Sequence, residues 1–284
     1  MARVLIVANK SWEADPLTEF LSSKPGTDLA QTPFVRGGDD EPRWMRGRFV
    51  DRTAGDRRVE VLCLQDAITK GNASSSALKA EVLPKMVACF DDTRLIVAFG
   101  TAATYGQKSF NGSVVAGTCV FMHDPSSRHT ESHWQIPVGQ ADAILESALS
   151  PNDFANIFAG PNDTPRFLAN ALPPPNDAAP QLGISADYAA VAVSEINVTN
   201  YADYAWSDYA TSAEFMRLHP GTPIGSFETT HGVIRSCAGE TPFAFVSGIV
   251  DRVGHFAVVG ARNAGVAVAL FVPRLLDWLA AGPA

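Results

Sequence analysis

Hydrophobic positions along the chain fall into short blocks separated by polar punctuation, and the period of each block predicts its element. Residues 3–8 (RVLIVA) form a continuous apolar run with β-branched members, as expected of a strand buried on both faces. Residues 12–22 place Leu17, Phe20 and Leu21 at helical spacing. Residues 59–64 (VEVLCL) predict a second strand. Residues 75–90 predict a helix with Leu78, Val82, Leu83, Met86 and Val87 on one stripe. Residues 94–99 (RLIVAF) predict a third strand running into a Gly100-Thr101-Ala102-Ala103 loop, and residues 114–122 a fourth. Residues 125–180 differ: they are rich in Pro, Asn, Asp and Ser, with three prolines at 173–175 and one modest helix signal at 141–148. Such a stretch predicts an insertion or a long surface excursion, the kind that serves as a lid or an interface arm. Regular patterning resumes with a strand at 188–193, helices at 203–218 and 229–238, a strand at 243–250 (FAFVSGIV) and a final helix at 263–279. Strands alternating with helices predict an α/β fold: a single domain over residues 1–284, with a twisted, mixed, mostly parallel sheet flanked by helices.

Composition narrows the function. The chain has 284 residues, 46% apolar and 18% charged, with a formal net charge of −8. That apolar content excludes a disordered chain, and the acidic balance disfavours a nucleic-acid partner. Cys63, Cys89, Cys119 and Cys237 form no CxxC pair, and each sits in an apolar stretch as a small buried hydrophobe would. The first apolar run is too short for a signal peptide. The stretch 264–281 is broken by Pro273, Arg274 and Asp277, which predicts a packed helix and no membrane span. A cytoplasmic protein is expected.

In open α/β sheets, ligands gather at the carboxyl ends of the strands. The polar residues there are Asn9, Lys10 and Glu13 after the first run; Gly100 and Thr101 after the third; His123 and Asp124 after the fourth; Ser194, Glu195 and Asn197 after the fifth; and Asp251 after the last. Glu228 stands just before the helix that leads into the last strand. Singly, each acid reads as a helix cap or a solvated charge; Glu13, Glu228 and Asp251 together at one rim are the informative unit. His129 and His133 share helical metal-ligand spacing but lie in a Ser- and Glu-rich segment without a nearby Cys, so no metal is predicted. His231 reads first as an ordinary hydrogen-bonded histidine.

These same residues carry a family resemblance. Ser226-Phe-Glu-Thr-Thr-His-Gly, followed by Thr241-Pro-Phe-Ala-Phe-Val-Ser-Gly-Ile-Val-Asp251, resembles the nucleoside phosphorylase/nucleosidase superfamily. Phe227-Glu228 takes the place of its Met-Glu, and Val250-Asp251 that of its Ser-Asp. Residues 95–102 (LIVAFGTA) look like its strand and Gly-Ser/Thr-Ala loop. Residues 121–124 are similar to its Tyr/His-Asp segment. Residues 4–17, with Glu13, resemble its hydrolytic branch, which includes methylthioadenosine nucleosidase and futalosine hydrolase. The likeness touches the first 25 residues, 94–124 and 188–280. The departures are Phe227 for Met, Val250 for Ser, and Ser247 where many members carry an Arg.

The resemblance implies cleavage of the N-glycosidic bond of a purine-like nucleoside, with no cofactor and a homodimer or larger homo-oligomer. Asp251 would protonate the leaving base, which requires a carboxyl kept protonated by burial. Glu228 would hold the ribose hydroxyls beside the Phe227 ring, and Glu13 would orient water beneath the anomeric carbon. Gly100, Thr101 and Asn197 complete the expected binding residues. Two alternatives stay open: phosphorolysis with inorganic phosphate as a second substrate, and a nucleoside-binding protein of the same fold without catalysis. After the first strand no Arg appears before Arg36, and none adjoins Gly100 to grip a phosphate dianion, which favours water.

Overall fold

The computed structural model describes residues 3–23, 44–51, 57–68, 76–104, 114–123, 143–145, 191–193, 196–200, 224–228 and 230–252. The first strand, β1 (Arg3–Ala8), is buried at every position. It lies between β3 (Arg57–Cys63) and β4 (Thr93–Thr104), parallel to both. β2 (Met45–Asp51) adds antiparallel to β3. β11 (Phe243–Arg252) runs parallel to β4 along its other edge. Beyond these lie β5 (Val114–Gly117), β6 (Val120–His123), β7 (Ala143–Leu145), β8 (Val191–Val193), β9 (Ile196–Asn200) and β10 (Ile224–Glu228). Together they form one sheet of eleven strands. Six pairings are parallel and four antiparallel among the described residues. The mixed, mostly parallel α/β architecture is as the sequence predicts.

Both faces of the central strands are covered. Leu5, Val7, Ile96, Ala98, Phe243 and Phe245 belong to one apolar cluster. It is roofed by Leu83 and Met86 of α3 (Ser76–Val87) and by Val233, Ile234 and Ala238 of α4 (His231–Ala238). The alternate positions, Val4, Ile6, Val97, Ala244 and Val246, are buried as well. α1 (Ser11–Ser23) buries Ala14, Leu17 and Leu21 outside that cluster. A short α2 (Leu64–Ala67) follows β3 directly. Phe243 is fully buried at the start of β11. Phe243→Ala is therefore expected to cost about 3–5 kcal/mol, read as a lower denaturation midpoint at an unchanged slope; a loss under about 1 kcal/mol would mean that the site collapses around the deletion.

Several elements differ from the sequence expectation. The third strand does not stop at Phe99: β4 continues to Thr104, because β11 keeps pairing with it as far as Arg252↔Thr104. The single strand expected over 114–122 is two, β5 and β6, broken at Thr118-Cys119. The helix signal at 141–148 contains strand β7, paired antiparallel to β6. β2, β9 and β10 are further strands. Cys89 is exposed, whereas Cys63 is buried; none of the four cysteines is in a disulfide. The helices expected at 203–218 and 263–279 lie outside the described residues, as does most of 125–180. No helix among the described residues is long and apolar enough to cross a membrane.

Candidate active site

The site follows from how β4 shares one edge between two neighbours. β1 pairs with β4 up to Ala8↔Phe99. β10 meets β4 at Phe227↔Ala103. Since β11 holds the opposite edge throughout, the segment Gly100–Ala102 faces a notch between the end of β1 and the arrival of β10. Glu13, in the first turn of α1, turns its carboxylate into that notch. Its Oε1 accepts hydrogen bonds from the Thr101 amide and the Thr101 hydroxyl, both at 2.9 Å. Its Oε2 accepts from the backbone amides of Asn9 (3.1 Å) and Lys10 (2.9 Å). The side chain is almost wholly buried, at 3% exposure. Burial pushes the Glu13 pKa up; the hydrogen bonds from Lys10 and Thr101 oppose the rise, and the Glu228 charge adds to it.

Gly100 is required by this packing. A Cβ there would stand 3.0 Å from Glu13 Oε1 and 3.4 Å from His231 Nε2. Four hydrogen bonds pin the carboxylate, so it cannot swing aside freely. Gly100→Ala is expected to fold and to lower turnover by roughly ten- to a hundred-fold through displacement of Glu13. Wild-type turnover at an unchanged melting temperature would show that the carboxylate yields without consequence.

Glu228 ends β10, and its carboxylate covers the start of α4. It accepts from the amide of His231 at 2.8 Å and from that of Thr230. A carboxylate at a helix N-terminus is favoured by the unpaired amides and the dipole there. Phe227, just before it, is buried and in register with Val198 of β9. Asp251 lies within β11, not after it, opposite Ala103 and next to a register shift. Phe227, Ala103 and Asp251 thus make one row across β10, β4 and β11. At the usual strand spacing, the outer two backbones are roughly 10 Å apart. The topology therefore brings Glu13, Thr101, Glu228 and the backbone of Asp251 to one end of the sheet. Asn197 follows β8 but lies inside a further strand, β9, in register with Ser226 and Val120. Asp124, Ser194 and Glu195 lie outside the described residues.

His231 has a more demanding position than an ordinary histidine. Its ring is 2% exposed and stacks on Phe245 at 5.8 Å. Nδ1 lies 3.4 Å from Ser247 Oγ and 3.9 Å from Glu228 Oε1. Burial drives its pKa below the ordinary histidine value, more strongly than the Glu228 charge raises it. At the opposite flank, Arg46 of β2 is held by Asp66 and by Asp15 (2.8 Å), and it donates to Ser11 Oγ (2.7 Å). Among the described residues, no group of three His, Cys, Asp or Glu side chains is arranged to hold a metal ion.

Whole-chain comparison of the fold agrees. A futalosine hydrolase mutant of Helicobacter pylori strain 26695 superposes with a TM-score of 0.58 at 11% identity, over 98% of this chain and 99% of that one. The S-adenosylhomocysteine nucleosidase of Streptococcus pyogenes, in complex with 5-methylthiotubericidin, gives 0.57 at 14% identity, over 99% and 98%. This chain has the nucleoside phosphorylase/nucleosidase fold. The 5'-methylthioadenosine/S-adenosylhomocysteine nucleosidase of H. pylori, with butyl-thio-DADMe-Immucillin-A, shares the same fold at a TM-score of 0.58 and 11% identity, over 98% and 99%. No protein-family model and no curated protein matches the sequence. Within this fold, the notch beside β4 holds the Glu13 carboxylate and the start of α4 holds that of Glu228.

Proposed function

We propose that the chain hydrolyses the N-glycosidic bond of a purine-like nucleoside, releasing free base and free sugar. The observation that carries this reading is the Glu13 carboxylate in the notch. Three backbone amides and one hydroxyl converge there, a donor set suited to an anion. The protein fills it with its own carboxylate. The amides and the hydroxyl that could cradle a phosphate dianion are taken by the Glu13 carboxylate, whose charge repels it, whereas a water molecule can donate to Glu13. Arg46, which donates to Ser11 of α1, is already neutralised by Asp15 and Asp66. Its pKa is raised chiefly by the hydrogen bond to Asp66.

In this reading, Glu13 orients water and receives its proton as the bond to the anomeric carbon forms. Glu228 holds the sugar hydroxyls, with Phe227 beside it. Asp251 gives a proton to the departing base. The fold neighbours that carry nucleoside-like ligands in their own complexes support a small-molecule nucleoside as the partner. The reading also takes the chain to be a single cytoplasmic domain, active as a homodimer or larger homo-oligomer, without a cofactor.

The test is release of free base from a panel of purine nucleosides. Tight binding without any base release would leave a binding protein of the same fold. Within the panel, Glu228→Gln is expected to weaken ribosides by about 1.5–3 kcal/mol, the loss of a charge-assisted hydrogen bond, and 2′,3′-dideoxyribosides by less. Equal losses on both would separate Glu228 from the sugar hydroxyls.

A further inference from the structure

His231 is buried between the two carboxylates, and its two ring nitrogens face different surroundings. Nδ1 is served from inside the protein. Ser226 Oγ donates to Ser247 Oγ at 3.3 Å, and Ser247 Oγ stands 3.4 Å from Nδ1. Both serines are completely buried. With Ser247 accepting from Ser226, its own proton is available to Nδ1, which then acts as the acceptor. The ring proton is left on Nε2. Burial disfavours the imidazolium, which favours the neutral ring. Nε2 has no hydrogen-bond partner among the described residues. It faces the point beside Gly100 that Glu13 Oε1 also approaches. An N–H on Nε2 is aimed into the notch, beside the Glu13 carboxylate. Asn9, next to the same carboxylate, likewise keeps a buried side-chain oxygen without a partner. The notch is thus built for a small polar guest that both donates and accepts.

We propose that His231 is a further catalytic residue of this site: its Nε2–H holds the oxygen of the attacking water opposite the Glu13 carboxylate, and Ser247 and Ser226 are positioning residues acting through Nδ1. The inference rests on the hydrolytic reading above. The water donates one hydrogen to Glu13 and accepts one bond from His231, which leaves its remaining lone pair for the anomeric carbon. As the C–O bond forms, the water's proton passes to Glu13. The electron pair of the C–N bond leaves with the base, which takes a proton from Asp251. His231 neither gains nor loses a proton over the cycle; it fixes direction.

The test combines the ring tautomer with a split between kcat and KM, with wild-type hydrolysis as the internal control. Nitrogen NMR of the wild-type protein, with His231 assigned by substitution, is expected to show the Nε2–H form near neutral pH. His231→Leu is expected to lower kcat by about 10²-fold with KM nearly unchanged. His231→Gln, whose amide N–H reaches the Nε2 position, is expected to recover most of the rate, and His231→Asn, which mimics Nδ1, none of it. An Nδ1–H or doubly protonated ring overturns the proposal, as does a folded Leu variant with wild-type kcat, while hydrolysis by the wild type leaves the parent reading standing. If the Leu variant does not fold, the Gln and Asn pair decides, and equal rates in the two overturn the proposal. Absence of any hydrolysis by the wild type removes the parent reading and this inference with it.

Discussion

Glu13→Gln is expected to lower turnover by ~10²–10⁴-fold, the usual range for a group that accepts a proton in the transition state, while nucleoside binding persists. The carboxylate is held by four donors, and the glutamine amide would present its NH₂ to some of them. A modest loss of stability, about 1–3 kcal/mol for mismatched buried donors, should accompany the loss of rate. The pH profile gives a second reading of the same residue. Burial raises the Glu13 pKa from its ordinary value of 4.5, and Glu228 pushes the same way. In the proposed reaction the ionised form takes the water's proton. Turnover should therefore fall as pH drops through the raised pKa, with an acidic limb above the ordinary carboxylate range. An acidic limb at the ordinary value, or a Gln variant with wild-type kcat, would separate Glu13 from the nucleophile.

Asp251→Asn carries the second large effect, a loss of ~10²–10⁴-fold in turnover with folding preserved. Asp251 shares a row with Ala103 and Phe227, one residue from Glu228 along β10. The leaving base and the sugar would then lie between strands that meet at β4. An asparagine keeps the shape but has no acidic proton to give. The loss should be greatest for bases that leave poorly and smallest for nucleosides with an activated leaving group. Equal activity of wild type and variant on every accepted substrate would remove Asp251 from the mechanism.

The strands that could be read from the sequence are the ones buried on both faces. β1, β4 and β11 present continuous apolar runs because helices cover them on both sides. β9 (INVTN) alternates over only four residues, and β10 (IGSFE) carries Gly and Ser into the sheet without a period. β2 (MRGRFVD) does alternate: Met45, Gly47 and Phe49 are buried between two arginines of intermediate exposure, a short period-2 pattern that is easily passed over. Gly100 reads as the end of a strand because glycine weakens strands. Here the strand continues, and the glycine makes room for Glu13. The acidic residues were legible because each borders an apolar run at a carboxyl end. The setting of His231 was not, since Gly100, Ser226 and Ser247 come to it from three different strands.

The central claim is that Glu13 gives the site to water. The most direct measurement is the sugar product and the rate as inorganic phosphate is varied from none upward, with an accepted nucleoside held saturating. The account predicts free ribose, or the correspondingly substituted free sugar, in phosphate-free buffer, at a rate that stays flat as phosphate is added. A sugar 1-phosphate whose rate of formation rises with phosphate concentration would contradict it.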